Sequence, residues 1–144
     1  DIAGARSVTR RMVQWGVLAG VVLGIIVVAG GSLYARVFTP DPEVRSLIVA
    51  ALVVAAVLQP IAGWVFVLDG VLIGAGDGRY LAWASAVSVL AFLPAAWAVL
   101  ALDISGRGGL MALWGAIGVW MVARWVTLGL RERGTAWLVT GAVR

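Results

Sequence analysis

The sequence predicts an all-α polytopic membrane bundle of four transmembrane helices. Two observations predict it. First, 62% of the 144 residues are hydrophobic and only 12% are charged, more apolar surface than a water-soluble globule of this size can bury. Second, the charges divide the chain into four apolar stretches, 12–36, 46–73, 80–102 and 108–130, with Asp69 and Arg124 as the only ionisable side chains well inside them. About 20 apolar residues rising 1.5 Å each cross a hydrocarbon core of roughly 30 Å, so each stretch is long enough to span with some tilt. A secretory signal peptide would give one short apolar run near the start, not four along the whole chain.

The first stretch carries Gly16, Gly20 and Gly24 at intervals of four, a bare stripe along one helix face. Such a stripe lets another helix approach closely, either within the chain or in a second copy. The loop that follows reads Phe38-Thr39-Pro40-Asp41-Pro42-Glu43-Val44. Proline ends the first helix there, Asp41 and Pro42 suit the N-cap and first position of the next, and Glu43 complements its dipole.

In the second stretch, Pro60 removes one backbone donor and frees the carbonyl of Ala56, which predicts a kink facing other helices or a wet cavity. Gln59 beside it is a polar side chain near the span centre, suited to lining a cavity or to bonding a neighbouring helix. Asp69 follows, with Gly70 and Gly74 repeating the small-residue spacing. Glycines at 74, 76 and 78 then make a turn too short for anything except two antiparallel neighbours.

The third stretch contains Pro94, and the fourth contains Arg124. Asp69 lies eight residues before Asp77, and Arg124 seven before Arg131, so both sit about 10–12 Å inward from one end of the bundle. Charges at such depth pair with one another, face a cavity, serve transport, or snorkel to the interface. Tyr34, Phe38, Tyr80, Trp83 and Trp125 suit interfacial belts. The tail over 137–143 is too short to cross a bilayer and is expected at the interface.

All eleven basic residues are arginines. Arg6, Arg10, Arg11, Arg79, Arg131, Arg133 and Arg144 fall on one side of the four spans, and Arg36, Arg45 and Arg107 on the other. Positive-inside asymmetry therefore assigns both termini of this segment to the cytoplasm. Arginines placed at alternate helix ends write topology rather than a phosphate-tracking stripe, so no nucleic-acid partner is expected. The chain has no cysteine, histidine or lysine. Thiol and histidine catalysis, most zinc sites, Schiff-base chemistry and Walker loops are excluded with them, and neither a metal, a cofactor nor an enzymatic activity is expected.

Phe38-Thr39-Pro40-Asp41-Pro42-Glu43-Val44, then Gln59-Pro60, then Phe66-Val67-Leu68-Asp69-Gly70-Val71-Leu72-Ile73-Gly74-Ala75-Gly76-Asp77 resembles the ninth-to-tenth helix region of the multidrug and toxic compound extrusion (MATE) family. The Asp69-Gly70 pair and the closing Trp137-Leu138-Val139-Thr140-Gly141-Ala142 are similar to its DinF-like branch. The resemblance implies that the chain is helices nine to twelve of a twelve-helix transporter, the C-terminal portion of its second six-helix bundle. Residues 6–11 would then end the loop after the eighth helix. It further implies export of cationic or amphipathic small molecules against a proton or sodium gradient by alternating access, with membrane lipid and the remaining transporter helices as partners. Ala62 stands near the position where some sodium-coupled relatives carry an acid, so no sodium site is carried over. Gln59, Pro60 and Asp69 are the candidates for cargo or cavity contacts, and Asp69 with Arg124 for an intramembrane ion pair. The alternative is a stand-alone four-helix packing or assembly subunit, or a small homodimeric carrier, using the Gly16, Gly20 and Gly24 face.

Overall fold

The computed structural model describes residues 2–138, which form four helices: α1 (Ile2–Phe38), α2 (Pro42–Gly74), α3 (Gly78–Ala101) and α4 (Gly106–Arg133). No strand occurs among the described residues. All four helices are long and apolar enough to cross a membrane. Short connections make each helix antiparallel to the one before it, so α2 and α4 run in the same direction.

The helices outrun the apolar stretches. With 37 residues, α1 is about 55 Å long, well beyond a hydrocarbon core of roughly 30 Å. Residues 6–11, expected in a loop, are its opening turns: nothing there breaks a helix, and the Arg6 guanidinium is held by carbonyls at the far end of α4.

The connections are built as their residues dictate. Asp41 caps α2, its Oδ1 accepting from the backbone N–H of Glu43 at 2.8 Å and of Val44 at 3.4 Å, with Pro42 at the first helical position. At the other end of α2, the N–H of Asp77 donates to the Leu72 carbonyl at 2.9 Å and that of Gly76 to Ile73 at 3.0 Å. This Schellman closure needs a left-handed residue, and Gly76 supplies it at φ 77°. The same closure ends α3 through Asp103 at φ 48°, with Ile104 donating to Val99 at 3.3 Å.

Helix α2 is the hub. It packs against α1 along one face and α4 along another and touches α3 lightly, while α3 packs mainly on α4, and α1 packs on α2 and reaches α4 through the Arg6 side chain. The α1–α2 contact is made by the glycine stripe. A Cβ at Gly16, Gly20 or Gly24 would meet the backbone carbonyls of Gly63, Gln59 and Ala56 respectively, closer than real Cβ atoms come. Gly63 is the reciprocal bare position, its missing side chain replaced by the Gly16 carbonyl. Gly70 and Gly74 do not repeat this arrangement: a Cβ at either meets nothing within 4 Å, because both lie on an exposed face of α2.

The buried core lies toward the arginine-rich end, where Val65, Leu68 and Leu72 of α2 meet Ala84 of α3 and Met121 and Leu128 of α4. Trp137 and Leu138 join this core, and Trp137 Nε1 donates to the Glu132 carbonyl at 3.0 Å. The first two residues of the tail expected at the interface are thus part of the packed bundle, and the rest of it lies outside the described residues.

Candidate functional site

A helix buried in an apolar bundle must satisfy each polar side chain from its neighbours, because lipid offers nothing in exchange. Arg124 sits on the inward face of α4 and is 8% exposed. Its Nη2 donates to Asp69 Oδ1 of α2 and its Nη1 to Ser85 Oγ of α3, each at 2.5 Å. One guanidinium thus ties three helices at one depth. Asp69 and Arg124 stand opposite each other because α2 and α4 run parallel.

One step further toward the arginine-rich end lies a second pair. Arg131 Nε and Nη2 hold Asp77 Oδ2 and Oδ1 at 2.6 and 3.0 Å, the bidentate fork that carboxylates favour. The Arg131 guanidinium also stacks 4.6 Å over the Tyr80 ring, and the Tyr80 hydroxyl donates to the Thr127 carbonyl at 2.5 Å. Tyr80 is therefore a crosslink between α3 and α4 as well as an aromatic residue near a helix end. Beyond it, Arg6 of α1 donates to the carbonyls of Glu132, Arg133 and Gly134, at 2.8 Å for Gly134, satisfying the open end of α4.

Gln59 and Pro60 stand apart from these pairs. Ten residues separate Gln59 from Asp69 along α2, about 15 Å, so the two do not converge on one site. Pro60 lies in an apolar cleft of about 440 Å³ between α1 and α2, lined with Val21, Gly24, Ile25 and Ala56 among others. The Ala56 carbonyl, deprived of its donor by Pro60, faces Gly24, whose Cα hydrogens offer a weak replacement. The side chain of Gln59 is half-buried and makes no hydrogen bond among the described residues.

The sequence singled out Asp69 and Arg124 but not Ser85, nor the joint role of Asp77, Arg131 and Tyr80. A signal for the second pair was present: the offsets of eight from Asp69 to Asp77 and seven from Arg124 to Arg131 place two acid–arginine pairs at matching depths. Ser85 carried no such signal, since a serine in a membrane helix bonds its own backbone as readily as a neighbour.

Comparison with known proteins adds an independent finding. Residues 1–98 match the MatE family. The chain is 38% identical over 94% of its length to the Arabidopsis thaliana protein DETOXIFICATION 42, and 35% identical over 98% to DETOXIFICATION 43 of the same plant. A third relative there, DETOXIFICATION 45, described as chloroplastic, is 33% identical over 57% of the chain. The first two matches each cover 25% of the relative, so the chain spans about a quarter of the length of these curated proteins. No solved structure shows a significant match.

Proposed function

Because the chain belongs to the MatE family, we propose that it forms helices nine to twelve of a secondary active transporter that exports drugs or organic cations by alternating access, driven by a proton or sodium gradient. The observation that carries this reading is the family match over residues 1–98, joined to four membrane-length helices. Within the family we assign the chain to the DinF-like branch, on the Asp69-Gly70 pair and the 137–142 ending. Its membrane in this reading is the cell membrane, and the arginine asymmetry supports placing both ends of this segment in the cytoplasm.

In this reading the segment is a rigid part of the second six-helix bundle. The Asp69–Arg124 pair and the glycine stripe hold its helices together, and Gln59, with no side-chain partner among the described residues, is available to hydrogen-bond cargo or the remaining helices. A stand-alone homodimer would use the Gly16, Gly20 and Gly24 face for a second copy, but α2 already covers that face.

Cells expressing the full-length protein should accumulate less ethidium than cells carrying an empty vector, and the difference should vanish when protonophore and sodium ionophore collapse both gradients. Equal accumulation, with the protein present in the membrane, would count against the reading.

A further inference from the structure

Trp64 of α2 and Trp125 of α4 meet edge to face, ring centroids 6.0 Å apart at 64°. They form part of the wall of a cavity of about 410 Å³ that runs toward the end of α4, completed by Val126, Gly129, Leu130, Glu132 and Arg133. That volume falls within the ~300–1,000 Å³ of small-molecule sites. Gly129 eases the arrangement: a Cβ there would stand 3.0 Å from Trp64 Cη2, so the bare position lets the indole lie against α4 without shifting. Trp125, Gly129 and Glu132 recur at intervals of four and three and so share one face of α4.

Glu132 and Arg133 are the charged residues that line this cavity, and the charges at this end of the bundle are unequal in their commitments. Arg124 and Arg131 are bound to Asp69 and Asp77, and Arg6 is bound to backbone carbonyls. The Glu132 carboxylate is half-buried and makes no ion pair or hydrogen bond among the described residues. Arg133 at the rim is exposed, where water and salt screen it. Indole faces attract cations and repel anions, so two tryptophans with an uncommitted carboxylate favour a positive ligand. Trp125 lies seven residues before Glu132, about 10 Å deeper, which suits a molecule with its charge near the interface and its apolar body inside.

We propose that this cleft between α2 and α4 is a docking subsite for an amphipathic organic cation on the arginine-rich end of the bundle. It rests on the transport reading above and locates where cargo first engages from the inner side. The indoles hold the apolar body, and Glu132 holds the positive centre.

The test uses the purified full-length protein, radiolabelled tetraphenylphosphonium as probe, and transport of the same ion into inverted membrane vesicles. Glu132→Gln and Trp125→Ala should each weaken binding and raise KM about fivefold with little change in maximal rate. Trp125→Phe should recover most of the loss, and Glu43→Gln, which removes a carboxylate at the opposite end, should change neither. Unchanged Kd and KM in both Glu132→Gln and Trp125→Ala, with transport intact, would overturn the subsite and leave the transporter reading standing. Lowered thermal stability with unchanged Kd would also overturn it, marking the slot as the seat of another helix or a lipid chain. Glu132-dependent binding without any transport would uphold the subsite and remove the transport reading.

Discussion

At the scale of single residues, the Asp69–Arg124 pair shows both the reach and the limit of the sequence. Two lone charges at equal distances from one end of two long apolar stretches were visible without coordinates, because a charge in lipid is costly enough to be conspicuous. Their direct pairing depended on α2 and α4 being neighbours, which depth alone does not specify. With the side chains of Asp69 and Arg124 only 20% and 10% exposed, removing one partner strands the other in an apolar surrounding. Asp69→Asn in the full-length protein should therefore lower membrane abundance, in keeping with the ~3–5 kcal/mol lost when one partner of a buried pair is removed. A second change, Arg124→Gln, should restore it, because the pair is then neutral on both sides. Quantitative immunoblotting of membranes checks this. Normal abundance in Asp69→Asn together with loss of pH-driven export would instead make Asp69 a protonation site.

At the scale of elements, helix number and approximate extent followed directly from apolar length, while contact faces did not. Gly16, Gly20 and Gly24 were legible as a close-packing stripe and meet α2. Gly70 and Gly74 have the same spacing yet face outward, and Gly63, an isolated glycine with no spacing signal, is the residue that receives Gly16. Interval describes the shape of a helix surface, not which neighbour it meets. The extra turns of α1 were also hidden, because arginines at 6, 10 and 11 end an apolar stretch without ending a helix. Since backbone carbonyls cannot swing aside as a side chain can, Gly20→Val should separate α1 from α2 and cost about 1–3 kcal/mol or more. A lowered unfolding temperature of the purified full-length protein checks it. A Cβ at Gly70 meets nothing within 4 Å among the described residues, so Gly70→Val should do little damage within this segment. Equal damage from that change would mean that the stripe on α2 meets helices outside it.

At the scale of the whole molecule, the polar ties are polarised. Among the described residues, the ion pairs and side-chain hydrogen bonds that tie α4 to other parts of the bundle all lie in the arginine-rich half: Arg124 with Asp69 and Ser85, Arg131 with Asp77, Tyr80 with Thr127, and Arg6 with the end of α4. The glycine contact lies near mid-span, and at the other end Arg45 Nε donates to the Thr39 carbonyl at 2.7 Å, a tie within the α1–α2 connection. The orientation of this asymmetry in the membrane rests on the arginine count, and a chain without cysteine allows it to be measured directly. In the full-length protein, with any cysteine elsewhere replaced, a cysteine at Thr39 or Ser105 should react with an impermeant maleimide applied to intact cells. One at Gly78 should react only after the cells are opened. The reverse pattern would invert the topology.

The central proposal, that this segment belongs to a gradient-driven exporter of organic cations, is tested most directly with purified full-length protein reconstituted in proteoliposomes, free of every other cell component. Uptake of radiolabelled tetraphenylphosphonium should rise above that of protein-free vesicles when an outward proton or sodium gradient is imposed, and fall to the protein-free level when that gradient is dissipated. Uptake equal to protein-free vesicles under both gradients, with the protein folded and inserted, would contradict the account.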